Sequence, residues 1–324
     1  MVRAVRIHEY GGPEVLRYDE VEVGDPAAGQ ARIRHTAVGL NYIDTYHRTG
    51  LYPVPSLPAV IGMEAAGVVE AVGAGVTEFV VGDRVAYANP IGAYAQERLI
   101  PADRLVKLPD NIEDTTAAAM MLQGMTAHYL LRRTFKVGPE TVMLFHAAAG
   151  GVGLIACQWA RHLGATIIGT VGSEDKGRLA TEAGCTHVIN YRTENFVDRV
   201  REITGGKGCD VVYDGIGKDT YPGSLDCLKP FGLWVTFGNA SGKIENFDLG
   251  LLAAKGSLFV TRPTLFTYTA KREDLLTSAT ELFDVVGRGV VRIAVNQTYP
   301  LAETAAAHRD LEARRTTGST VLLP

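Results

Sequence analysis

Residues 141–164, TVMLFHAAAGGVGLIACQWARHLG, limit the possible folds more than any other part of the chain. A run typical of a buried strand ends in a glycine-rich turn, and a helical pattern begins at once. Ala147, Gly150 and Gly153 stand at AxxGxxG spacing. Residues with little or no side chain let the backbone of such a turn approach a pyrophosphate. The first N–H groups of the helix, aligned with its dipole, then favour the anion. A glycine pattern alone is weak, so the context decides. The plainer reading is a tight strand–helix turn that binds nothing. Strand, turn and helix in that order favour a dinucleotide, with Ala147, Gly150, Gly151, Val152 and Gly153 predicted to line it.

The same rhythm continues on both sides of this unit. TIIGTV, HVINY, CDVVYDGI, GLWVTFG and SLFVTRP read as buried strands, separated by helices such as SEDKGRLATEAG. Runs rich in β-branched residues alternating with amphipathic helices predict an α/β fold, a doubly wound parallel sheet of the Rossmann kind. Upstream the pattern differs. VRAVRI, VLRYDEVEV, QARIRHTAVGL, GVVEAVGAGV, DRVAYA and QERLI are short strands broken by turn residues, as in a mainly antiparallel, barrel-like domain. Between them LYPVPSLPAVIG, with Pro53, Pro55 and Pro58, reads as a stiff loop that cannot extend a ladder, suited to a cleft wall. After Pro263 come a helix, REDLLTSATELFDVVGRG, and a short αβ return ending STVLLP, expected to rejoin the first domain. The expected division is therefore residues 1–124 with 265–324, and residues 125–264.

A length of 324 residues accommodates two such cores, and 46% hydrophobic with 21% charged residues is ordinary globular composition. The net charge of −4 gives no general reason to seek nucleic acid or an anionic membrane. No apolar run is long enough to span a bilayer, no leader pattern is seen, and the four scattered cysteines form no CxxC pair. A cytoplasmic location is expected. The eight histidines show no metal-ligand spacing and are expected at the surface or in local hydrogen bonds.

The second strand of the nucleotide unit indicates which cofactor. An NAD site usually places a carboxylate near its end to hold the ribose 2′-hydroxyl. Here Val171, Gly172 and Ser173 take that place. A carboxylate would repel the 2′-phosphate of NADP; Ser173 can donate to it, and Lys176 supplies a compensating charge. Glu174 and Asp175 run against this unless they point to solvent. NADPH is the expected cofactor.

Read as a whole, the chain resembles the zinc-free quinone oxidoreductases, the zeta-crystallin-like branch of the medium-chain dehydrogenase/reductases. The resemblance rests on VGLNYIDTYHRTGLYP, GMEAAGVVEAVGAGV, VGDRVAY, HAAAGGVGLIACQWA, INYR, FGNASG, VTRP and LEARRTTGS. It implies that the first domain is GroES-like and that the chain is a homodimer. It also implies that two zinc-ligand positions of the related alcohol dehydrogenases are occupied by Asn41 and Met63, an amide and a thioether that cannot replace a thiolate and an imidazole. Hydride transfer from the nicotinamide C4 to a quinone, whose ring is already electrophilic, then needs mainly orientation and a hydrogen-bond donor. Asn41, Asp44, Tyr46 and Tyr52 are the expected catalytic residues, Asn41 also touching the cofactor. Asp44 as a helix cap, and Tyr46 and Tyr52 as packing tyrosines, are the plainer alternatives. For the rest of NADPH the resemblance implies Thr126 (with Met125), Gly172, Tyr191, Phe237, Gly238, Asn239, the backbone of 260–262 and Arg314, with Arg315 as the alternative to the last. Two rival functions stand beside quinone reduction. One is reduction of an alkenal or enone double bond; the other is a non-catalytic RNA-binding or crystallin-like role, disfavoured by the absence of a basic tract.

Overall fold

The computed structural model describes residues 1–324. It divides into two compact units. The first comprises Met1–Met125, Thr269–Gly287 and Ile293–Pro324, and the second Thr126–Tyr268 with Arg288–Arg292.

The second unit is built on a six-stranded, wholly parallel sheet. Its spatial order is His187–Asn190, Thr166–Val171, Val142–Phe145, Cys209–Asp214, Leu228–Thr236 and Phe259–Thr261. The order reverses direction between Val142–Phe145 and Cys209–Asp214, the switch point at whose carboxyl end such sheets bind ligands. Leu144, Ile168, Ile189, Val212 and Trp234 belong to one buried cluster. The runs read as strands are those strands, and the doubly wound expectation stands.

The first unit is organised around Gln30–Leu40, which pairs antiparallel with Glu64–Val72, Glu97–Pro101 and Ser319–Leu323. The C-terminal strand thus does return to this unit. It is joined in parallel by Val295–Pro300 through the helix Thr304–Glu312. Alternation along Gln30–Leu40 sends Ala31 and Ile33, and beyond a register shift between His35 and Ala37 also Val38 and Leu40, into a core with Ile61, Tyr94 and Ile100. One expectation needs correcting. The proline loop does add to a ladder, because Ala59–Val60, just past the last proline, pairs with Arg6 and Ile7.

Against the expected breaks at 124/125 and 264/265, the units change at Met125/Thr126 and Tyr268/Thr269. Local contacts give the reason. The Tyr268 ring stacks on Tyr129 at 4.6 Å, and its hydroxyl accepts from Thr134 Oγ1 at 2.9 Å. Arg292 exchanges two hydrogen bonds with the Gln158 side chain, at 2.9 and 3.1 Å, which ties residues 288–292 to the second unit.

Candidate active site

In the second unit the glycine turn has the form its sequence demands. The helix Gly151–His162 starts on Gly150 with no side-chain cap, so its first N–H groups are left to another acceptor. The exposed Ala147 lies in the left-handed region at φ 56°, where a non-glycine residue costs on the order of 1 kcal/mol. A side chain on Gly153 is excluded: its Cβ would lie 2.4 Å from the Ala147 carbonyl oxygen. This cradle fits a pyrophosphate.

Next to it, the strand Thr166–Val171 ends in Gly172, and Ser173 caps the helix Glu174–Glu182 by accepting from the Lys176 N–H at 3.3 Å. That bond leaves the Ser173 hydroxyl proton free to donate elsewhere. Tyr191 lies over Gly172, where a Cβ would come within 2.5 Å of its hydroxyl. Ser173 and Arg178 also border a cavity of about 470 Å³, but the three carboxylates of Glu174, Glu182 and Glu194 line it too and outnumber that one cation, which makes the cavity a poor seat for a phosphate. At the end of Leu228–Thr236, Phe237, Gly238 and Asn239 are half-buried, and Phe237 N–H donates to the Asp214 carbonyl at 2.8 Å. Thr126 is buried in the helix Met121–Tyr129.

In the first unit Asn41 caps the helix Tyr42–Thr49, and Asp44 closes a capping box by accepting the Asn41 N–H at 2.9 Å. The capping alternative therefore describes where Asp44 sits. Its carboxyl is fully enclosed, accepts from the Tyr94 hydroxyl at 2.8 Å, and leaves Oδ1 without a partner. Burial pushes its pKa up to about 7. The Asn41 amide is held on both sides: Nδ2 donates to Glu64 at 2.6 Å, and Oδ1 accepts from Gln123 at 3.1 Å. Ser319 donates to Gln123 Oε1 at 2.8 Å, and Leu122 N–H donates to Glu64 at 2.6 Å. Burial pushes Glu64 up to about 8, against the pull of the Asn41 and Leu122 donors. Tyr46 and Tyr52 meet edge to face at 5.2 Å, with Tyr46 buried and Tyr52 half-buried. Arg315 is bound to Asp310, whereas the exposed Arg314 sits at φ 58°.

Sequence reasoning missed Glu64, Gln123 and Ser319 here, and His146 and Asp214 in the second unit. Glu64, His146 and Asp214 are each one polar residue inside or ending an apolar run, and that signal was available. The donor set does not fit zinc. The amide of Asn41 is already used on both atoms, Met63 offers a thioether, and nowhere do three His, Cys, Asp or Glu side chains gather as a metal would require.

A parallel sheet with a bare phosphate turn, carried in one chain with a GroES-like barrel, defines a medium-chain dehydrogenase/reductase. Two family models match accordingly: the alcohol dehydrogenase GroES-like domain over residues 27–110 and zinc-binding dehydrogenase over residues 151–278. A quinone oxidoreductase of Pseudomonas aeruginosa is 54% identical over the full length of both chains. A 2-haloacrylate reductase from a Burkholderia species is 52% identical, over all of this chain and 99% of the relative. Among solved structures, Escherichia coli quinone oxidoreductase complexed with NADPH superposes with a TM-score of 0.98 at 50% identity, over 99% of this chain and 100% of that one. The chain belongs to the quinone oxidoreductase family.

Proposed function

We propose that this chain is an NADPH-dependent quinone reductase that uses no zinc, works in the cytoplasm and forms a homodimer. The observation that carries the reading is the uncapped helix start at Gly150–Gly153, with no carboxylate at the end of the neighbouring strand. Bound NADPH supplies the hydride. Ala147, Gly150, Gly151, Val152 and Gly153 hold its pyrophosphate. Gly172, Ser173, Lys176 and Tyr191 receive the 2′-phosphate, with Arg314 as a second cation. Thr126, Phe237, Gly238 and Asn239 line the remainder. Asn41 orients the nicotinamide and the acceptor, and the enclosed Asp44 acts by fixing Asn41. Tyr46 and Tyr52 wall the quinone, with the Tyr52 hydroxyl as the donor toward a quinone oxygen. For the homodimer, the support is the edge strand Phe259–Thr261, whose Phe259 is 59% exposed. For the cytoplasm it is four cysteines that remain free thiols, and no helix is long and apolar enough to cross a membrane.

A second reading has its own support: reduction of an activated carbon–carbon double bond, as the name of the 2-haloacrylate reductase relative suggests. Steady-state rates with NADPH decide between them. Turnover of 1,4-benzoquinones well above that of 2-alkenals and 2-haloacrylates is expected. Turnover of the unsaturated acceptors alone would overturn the quinone assignment.

A further inference from the structure

We propose that Asp214 is a positioning residue for the cofactor, bracing two of the loops that carry its predicted contacts in the second unit, the phosphate turn and residues 237–239. The proposal rests on the reading that this unit binds NADPH. Asp214 ends the strand Cys209–Asp214 and is fully buried. Its Oδ1 accepts from the backbone N–H groups of Ile216 and Gly217 at 2.9 and 3.0 Å, which sets the turn after the strand. Its own carbonyl accepts from Phe237 N–H, which sets the start of the 237–239 loop. Its Oδ2 accepts from Thr220 at 2.8 Å, Ser224 at 2.9 Å and Trp234 Nε1 at 3.2 Å.

The phosphate turn is reached through Ser224. Since the Ser224 hydroxyl donates to Asp214, its oxygen accepts from His146 Nε2–H at 3.1 Å. That places the imidazole proton on Nε2, so Nδ1 accepts from Thr170 Oγ1 at 3.0 Å. Burial holds His146 below the usual imidazole range, in the neutral form this directed series requires. His146 immediately precedes Ala147, and the Thr170 carbonyl accepts the Ala148 N–H at 3.1 Å. One acceptor-only carboxylate thus fixes the orientation of the residue from which the phosphate turn departs. A carboxylate serving stability alone would need satisfied donors, and any arrangement of them would do. This one, through Ser224 and His146, is connected to Thr170 and to the start of the phosphate turn, at the carboxyl ends of two further strands, on the side where the cofactor lies.

The test compares Ser224→Ala and Thr220→Ala in the full chain. Each removes one donor from the same carboxylate oxygen, but only the first disconnects His146. Titration with NADPH, followed by nicotinamide fluorescence, is expected to give a Kd raised about fivefold to tenfold in Ser224→Ala and changed less than about twofold in Thr220→Ala. NADH should lose by the same factor, and kcat at saturating NADPH should be kept. In 15N spectra of histidine-labelled protein, the His146 Nε2–H signature should be altered only in Ser224→Ala. Equal affinities of the two variants for NADPH, or an unchanged His146 signature in Ser224→Ala, would overturn the positioning role. Failure of the unsubstituted chain to bind NADPH would instead overturn the functional reading.

Discussion

Substituting Gly153 by alanine tests the phosphate turn most directly, because the structure sets the size of the conflict. The added Cβ would stand 2.4 Å from the Ala147 carbonyl oxygen, 2.6 Å from that of Ala148 and 2.7 Å from the Ala148 carbonyl carbon. All three are backbone atoms and cannot swing aside. Restoring an ordinary contact of roughly 3.5 Å moves the helix or the turn by about 1 Å. Overpacking of this kind costs about 1–3 kcal/mol, and the better helix propensity of alanine offsets up to about 1. At about 2–4 °C per kcal/mol the melting temperature of the second unit should fall by several degrees. The Ala147 carbonyl also accepts the Gly150 N–H, so the displacement reaches the anion site, and the NADPH Kd should rise at least about tenfold. Gly150→Ala makes the control. Its Cβ would meet only the Ala147 oxygen, at 3.2 Å, so stability should change by less than about 0.5 kcal/mol. Its methyl nonetheless takes up space that a phosphate approaching the turn needs, and affinity should still fall. Calorimetry and NADPH titration together check the pair. Gly153→Ala with unchanged melting and affinity, or Gly150→Ala as the more destabilised of the two, would refute the reasoning.

Lys176→Ala should weaken NADPH by about tenfold and NADH by less than twofold, because NADH lacks the 2′-phosphate that would meet that charge; equal losses would remove Lys176 from the site. Arg48, almost fully buried, donates to both Glu312 oxygens at 2.7 and 2.9 Å and to His308 at 3.0 Å. Arg48→Met should therefore cost about 2–4 kcal/mol by denaturant unfolding, a little below a wholly buried pair because Glu312 remains partly solvated. Stability of the first unit should peak near pH 6.5. Burial raises Asp44 to about 7 and Glu64 to about 8, so their contribution is whole below about pH 4 and is lost as pH rises through 7 to 8. Burial lowers His47 to about 4 and His35 and His308 to about 3, so theirs is whole above about 6.5 and is lost as pH falls toward 3. Between 4 and 6.5 the three histidines outweigh the two acids, and above 6.5 the acids act alone. A melting temperature that still climbs from pH 7 to 9 would contradict this, and Asp44→Asn should flatten the alkaline decline.

The parts of this protein legible in its sequence are those encoded over short spans. The strand, turn and helix of 141–164 fall within one segment, so their periodicity and missing side chains reveal them. The strand Gln30–Leu40 follows its reading residue for residue, and the return of Ser319–Leu323 to it was anticipated. The role of Asp44 was legible only as a choice, since a carboxylate at the third helical position suits a capping box and a reacting site equally. The buried chain from Asp44 through Tyr94 to His308 and Arg48 could not be read at all. Its directly bonded members are separated by up to 260 positions, and only folding places His308 against Arg48.

Yet part of that hidden layer had a local mark. Glu64 stands in VIGMEAAGVV, His146 in MLFHAAAG and Asp214 in VVYDGIG, each the one Asp, Glu or His of its stretch. Burying such a group unsatisfied costs about 1–3 kcal/mol or more, so its presence in a buried strand implies partners even where they cannot be named. All three do have partners: Glu64 holds the Asn41 amide, His146 bridges Thr170 and Ser224, and Asp214 gathers five donors. Each also lies next to a predicted contact residue, Glu64 through its bond to Asn41, His146 beside Ala147, and Asp214 through its carbonyl to Phe237. A contact residue that must keep one orientation needs a fixed neighbour, and inside an apolar strand only a polar group with directed bonds can fix it. The lone polar residues of the strands therefore mark where the site is braced, while the glycines mark where it is open.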